Sequence, residues 1–212
     1  LTYVSFSSHM SNDCLGYAGL DQPAKLIDKS LYDQISKTDY RKSLFNGPDG
    51  DKTASADTPG AARPYASRKF GYMAQWLQDY IYMRASEMVL IEAESYARLG
   101  DGTKAASVLG ELMSKRDMAW KAASVTVDDV LLQRRIELWG EGHGYYDLRR
   151  NGKGIDRNYE GTNHTPANRI KVPAHDNLWW FQLPLKEITE NDMISEDEQN
   201  PWSKEQDNDK ED

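Results

Sequence analysis

Two apolar stripes of helical period, separated by a four-residue turn, constrain this chain more than any other feature. From about 82–99, Ala85, Met88, Val89, Ala93, Tyr96 and Ala97 recur at the offsets that place them on one side of a helix. A second stripe, Ala105, Val108, Leu109, Leu112 and Met113, runs to about residue 116. Leu99-Gly100-Asp101-Gly102 lies between them, with Gly100 suited to end one helix and Asp101 or Thr103 to cap the next. The spacing therefore predicts a tight antiparallel helical hairpin over 82–116. Ala93 and Tyr96, Gly100 at the turn, and Ala105 and Leu109 match one tetratricopeptide repeat, whose small residues let the two helices approach closely. One such hairpin cannot bury its faces alone, so further helices must stack on it.

A third helix is expected from Thr126, whose hydroxyl can cap it while Asp129 reaches back. Val127, Val130, Leu131 and Leu138 form one apolar row and Leu132, Ile136 and Trp139 another, which predicts a helix buried on two sides. A short helix fits 24–35. The Gly-, Pro- and Ala-rich stretch 46–64 reads as a long loop, and residues 7–19 read as a polar one. After Arg150 the glycines and prolines predict irregular structure, closing on Leu178-Trp179-Trp180-Phe181-Gln182-Leu183-Pro184 as a buried strand or extended segment. The three tryptophans at 139, 179 and 180 read as core.

Charge narrows the function. The chain has 34 acids and 26 bases, a formal net charge of −8, and most of that excess lies after residue 195. No basic field exists for nucleic acid, and no apolar run is long enough to form a membrane-spanning helix. One cysteine, Cys14, can make neither an internal disulfide nor a cysteine-based zinc site. The histidines lack helical metal-ligand spacing, so neither metal nor cofactor is expected.

The run from Arg134 to Arg150, RRIELWGEGHGYYDLRR, packs charges among large apolar groups. Buried charges must be paired, so this reads as an ion-pair knot in which Arg134 and Glu137 meet at i, i+3 and Asp147 engages Arg149 or Arg150. Gly140, Gly142 and Gly144 follow a helix instead of a strand and read as its end, not as a nucleotide loop. Glu137 and Glu141 lie on one wall beside arginines that keep them ionised, a poor arrangement for the two opposed carboxyls of a glycosidase. No catalytic residue is expected.

The same run, RRIELWGEGHGYYDLRRNGKG, resembles the signature of the C-terminal half of the SusD/RagB family, nutrient-binding outer-membrane lipoproteins of Bacteroidetes. YIYMRASEMVLIEAESYARLGD resembles that family's "R-x-A-E-x-x-L-x-x-A-E-A" helix, FQLPLKEITEND with EQNPW resembles its closing segments, and TDYRKSLF resembles its "D-x-R" turn. Gln133, where a Glu usually precedes the arginine pair, is a departure. The resemblance implies an all-α fold of tetratricopeptide-like helix pairs with long irregular loops, forming a single SusD-like C-terminal region over 1–212 with an irregular closing segment at about 150–202 and an acidic tail at 203–212.

It further implies a non-enzymatic, cell-surface, outer-membrane protein. Such a protein captures glycans for a SusC-like TonB-dependent transporter and is anchored through an N-terminal lipidated cysteine that this chain does not carry. Sugars bind by stacking on aromatic faces with polar groups around them. His9, Asn12 and Tyr17 in the loop at 7–19, and Tyr65 and Trp76 in the stretch running from the other loop up to Trp76, are the candidate ligand-binding residues. A tetratricopeptide-type scaffold for a protein partner is the competing expectation, and a glycoside hydrolase the third.

Overall fold

A computed structural model describes residues 25–53, 62–69 and 83–201. The chain gathers into two compact units, Leu1–Gly144 and Tyr145–Asp212.

The first unit is built on helices. The short helix α1 (Lys29–Gln34) starts at Asp28, whose carboxylate accepts from the backbone N–H groups of Ser30 and Leu31. A 3-10 turn, Tyr40–Leu44, follows and is capped in the same way by Asp39. The expected hairpin is present as α2 (Ala85–Arg98) and α3 (Gly102–Met113). Gly100 closes α2 at φ +82°, with its own N–H on the Ala97 carbonyl and the Asp101 N–H on that of Tyr96. That pair of bonds satisfies carbonyls a helix end otherwise leaves bare. Asp101 then accepts from the Lys104 N–H at 2.9 Å and starts α3. Gly102 is required for a different reason: a Cβ there would lie 2.4 Å from Ser124 Oγ and 2.7 Å from the Val125 carbonyl.

α4 (Val127–Glu137) begins with the predicted reciprocal cap between Thr126 and Asp129. Its two apolar rows serve two cores. Val130 and the following Leu138 join Leu90, Ala93, Ala105, Leu109 and Met113 of the hairpin. Ile136, with Leu132 and Trp139, packs into a second cluster around Ile27, Leu31, Ile35, Phe45 and Tyr65. α4 is the shared wall, which is why it needed apolar groups on two sides.

Beginning at its end of the chain, the second unit takes up most of α5 (His143–Arg150) and then runs through short pieces. Strand β1 (Ile155–Asp156) pairs antiparallel with β2 (Lys171–Val172), and α6 spans Leu185–Glu190. Of the two forms expected at 178–184, a buried strand or an extended segment, no strand is formed. A 3-10 turn, Asn177–Trp179, is nucleated by the Asp176 carboxylate on the Leu178 N–H, and the chain then runs extended. Its backbone is held by side-chain amides instead of a neighbouring strand. Gln199 Oε1 accepts from the Leu183 N–H, Gln199 Nε2 donates to the Leu183 carbonyl, and Asn200 Nδ2 donates to the Phe181 carbonyl. Trp179 is buried, but Trp180 and Phe181 are 48% and 72% exposed, so the expectation that Trp180 is core is corrected. Among the described residues, no helix is long and apolar enough to cross a membrane.

Candidate functional site

Two clusters of side chains stand out, one in each unit. The first surrounds Glu137 at the end of α4, whose side chain is 3% exposed. Its carboxylate accepts from Arg116 Nε and Nη2 at 3.0 and 2.9 Å, from Arg41 Nη1 at 3.2 Å and from Arg84 Nη1 at 3.1 Å. Burial alone would raise this carboxyl, but the bonds from Arg116 and the charges of Arg116, Arg41 and Arg84 outweigh it and hold the group at about 2.

The arginines are themselves tied down. Arg41 is gripped by Asp39 through Nε and Nη2 and also donates to Gln133 Oε1 at 2.5 Å. The glutamine that departs from the usual family residue thus serves as a neutral acceptor beside two acids. Arg84 spans Glu137 and Glu141, donating from Nε to Glu141 Oε2 at 2.9 Å and from Nη2 to the Glu137 carbonyl at 2.9 Å. Lys69 reaches the carbonyls of Glu137 and Trp139 at 2.6 and 2.8 Å and pairs with Glu141. Its burial pulls the ammonium below its ordinary value, while Glu141 pushes back.

The knot was expected, but its wiring was not. Glu137 takes its partners from residues 41, 84 and 116, whereas Arg134 one turn back lies 3.5 Å from Glu87. Glu141 lies past the end of α4, in the turn where Gly140 and Gly142 take φ values of +78° and +87°. It meets Glu137 through their common arginine. Asp147 pairs with Arg150 as expected, at 2.9 Å.

Glu137 is thus locked as an anion among cations, and Glu141 is paired with Lys69 and Arg84. A general acid needs the opposite, a carboxyl whose proton is retained near neutral pH. The knot clamps Asp39, Arg41, Lys69, Arg84, Arg116 and the end of α4 together.

Of the sequence-nominated ligand residues, Tyr65 alone falls within the described part. It takes φ +61°, its carbonyl accepts from the Ile27 N–H at 3.0 Å, and its ring packs edge-on against Tyr32 with centroids 5.4 Å apart. The residue is 8% exposed. His9, Asn12, Tyr17 and Trp76 lie outside the described residues.

The second cluster was missed in the sequence. Tyr145 of α5 touches Tyr146, Trp179 and Phe181, with centroids 5.2, 5.7 and 5.1 Å away. Its hydroxyl donates to the Trp179 carbonyl. Trp179 Nε1 donates to the Pro173 carbonyl at 2.6 Å, anchoring the group from beneath. Beside it, Arg149 lies over Trp180, 4.1 Å from the ring centre. The available signal was the aromatic run 179–181, whose two tryptophans read as core from the sequence, together with Tyr145-Tyr146.

An open depression of about 800 Å³ runs along α6 past Glu187, Glu190, Asn191 and Met193. Its walls come from one six-residue helix and the turns beside it. Among the described residues, no three His, Cys, Asp or Glu side chains gather as a metal would need.

Residues 72–202 match the model of the SusD family. Among solved structures, a SusD-like carbohydrate binding protein from Bacteroides vulgatus aligns with a TM-score of 0.66 at 23% identity, covering 90% of this chain and 45% of its own. A SusD superfamily protein from the same species aligns with a TM-score of 0.64 at 24% identity, covering 84% and 39%. The surface glycan-binding protein A from Bacteroides uniformis aligns with a TM-score of 0.55 at 23% identity, covering 84% and 40%. The chain thus spans less than half the length of these solved relatives. No curated protein matches it.

Proposed function

This chain belongs to the SusD family, and from that premise we propose that it takes part in non-catalytic capture of glycans at the outer-membrane surface, as a lipid-anchored protein that delivers its ligand to a SusC-like TonB-dependent transporter. The family match over 72–202 carries the reading. Solved relatives described as carbohydrate- and glycan-binding proteins support the ligand class. The state of Glu137 supports binding without chemistry, since an acid fixed as an arginine-bound anion is poorly placed to protonate a glycosidic oxygen. His9, Asn12, Tyr17, Tyr65 and Trp76 remain the proposed ligand contacts of the first unit, and the whole chain acts as one SusD-like C-terminal region.

Calorimetric titration with a panel of oligosaccharides, followed by chromatography of the mixtures, tests this reading. Heat of binding with unchanged sugars is the expected result. Cleaved products would favour a hydrolase.

A second reading, a protein-binding scaffold, draws on one observation. Helix α2 leaves Met88 and Ile91, one turn apart, 40% and 45% exposed. Glycan-free protein that captures the transporter but never a sugar would favour it.

A further inference from the structure

Resting on the reading of glycan capture, we infer that Arg149, Trp180 and Phe181 form a subsite for an acidic sugar, a uronate residue within an oligosaccharide. Several other arginines are bound to carboxylates, among them Arg41 to Asp39 and Glu137, Arg84 to Glu137 and Glu141, and the adjacent Arg150 to Asp147. The guanidinium of Arg149 has neither a hydrogen bond nor an ion pair with any described residue, and the residue is exposed. What positions it is the ring of Trp180. Contact with a ring uses none of the five N–H donors of a guanidinium, so among the described residues nothing takes up its bidentate capacity for a carboxylate.

The surroundings select the kind of molecule that carries this carboxylate. Trp180 is 48% exposed, Phe181 72% and Tyr146 64%, and Phe181 and Tyr146 both contact Tyr145. Tyr145 is in turn fixed by its hydroxyl on the Trp179 carbonyl. Exposed flat rings mounted on a rigid base match the C–H faces of pyranose rings. A guanidinium that no described residue pairs, at their edge, matches an acid on such a ring better than a neutral hydroxyl, because the charge-assisted bidentate pair is the stronger bond. Charge complementarity thus points to a uronate.

The test titrates the full chain with trigalacturonic acid and with maltotriose, in wild type and in Arg149→Ala, Arg149→Lys and Trp180→Ala. Wild type should bind the acidic trimer about tenfold more tightly than the neutral one. Arg149→Ala should abolish that preference, Arg149→Lys should restore only part of it, and Trp180→Ala should weaken both sugars. All these side chains are exposed, so melting temperatures should stay put, and they are measured alongside. Equal affinity for the two trimers overturns the acidic ligand class. An acidic preference that survives in both Arg149→Ala and Trp180→Ala overturns the location. If neither trimer binds while another glycan of the calorimetric panel does, this inference fails and glycan capture stands.

Discussion

The first unit places its charges inside and covers them. Glu137, Arg41 and Asp39 are nearly inaccessible, and two apolar clusters flank them on either side of α4. The second unit does the reverse. Its buried side chains are Val172 and Trp179 among the described residues, while Tyr146, Trp180 and Phe181 stand in solvent and short turns carry the chain. Desolvated ions demand complete pairing, because a stranded charge is costly. That demand makes the first unit intolerant of change. A unit held by turns and side-chain amides keeps its exposed groups free for contact with other molecules. The contrast separates a scaffold from a presenting surface, and it can be broken in measurable ways.

The largest effect should come from Glu137→Ala, which leaves Arg41, Arg84 and Arg116 facing one another. A loss of about 3–5 kcal/mol is expected, read by denaturant unfolding followed by far-ultraviolet circular dichroism. If the helical signal unfolds as before, the knot is not what holds the first unit. Trp179→Ala should come next, at about 3 kcal/mol, by removing the buried ring of the second unit. Its near-ultraviolet signal should collapse while the helical transition of the hairpin persists. Loss of both together would show that the two units do not unfold independently.

Acid should sharpen the contrast further. The Glu137 carboxyl ordinarily titrates near 4.5 and in the folded chain near 2, so its contribution is complete above the ordinary value. It drains away as pH falls from about 4.5 to 2, and amounts at most to about 3 kcal/mol. A pH series of unfolding midpoints should show this slope in the wild type and lose most of it in Glu137→Gln. The smallest effect is expected from Thr126→Ala, which removes the α4 cap for about 1 kcal/mol. Its chevron or equilibrium midpoint should shift without any change in the second unit.

The hairpin was readable in advance because its information is local. Ala93, Tyr96, Gly100, Ala105 and Leu109 follow one helical period and one turn, and Thr126 with Asp129 announces a cap within four residues. The knot was readable only in part. Its existence follows from crowded charges, but Arg41 lies 96 positions from Glu137, and the i, i+3 rule pointed to Arg134 instead. Chain-distant pairing leaves no periodic trace. At 178–184 an apolar run suggested a strand, yet Asp176 turns the chain first, and Gln199 and Asn200 take over the bonds a neighbouring strand would supply. Burial was misjudged for Trp180 because the large rings were assumed to go inside together.

Lys69 and Arg84 share Glu141 but cannot exchange places. The lysine is a compact knob whose three protons meet three oxygens around the end of α4, at Glu137, Trp139 and Glu141. The arginine is a flat fork wide enough to bridge two acids and a carbonyl. A swap of the two would conserve composition, charge and hydropathy, and so pass unnoticed in any tally of residue types. It would nevertheless leave the fork without room and the bridge without span. Drift at these two positions is therefore confined by shape, and a chain keeping this fold should keep lysine at the one and arginine at the other.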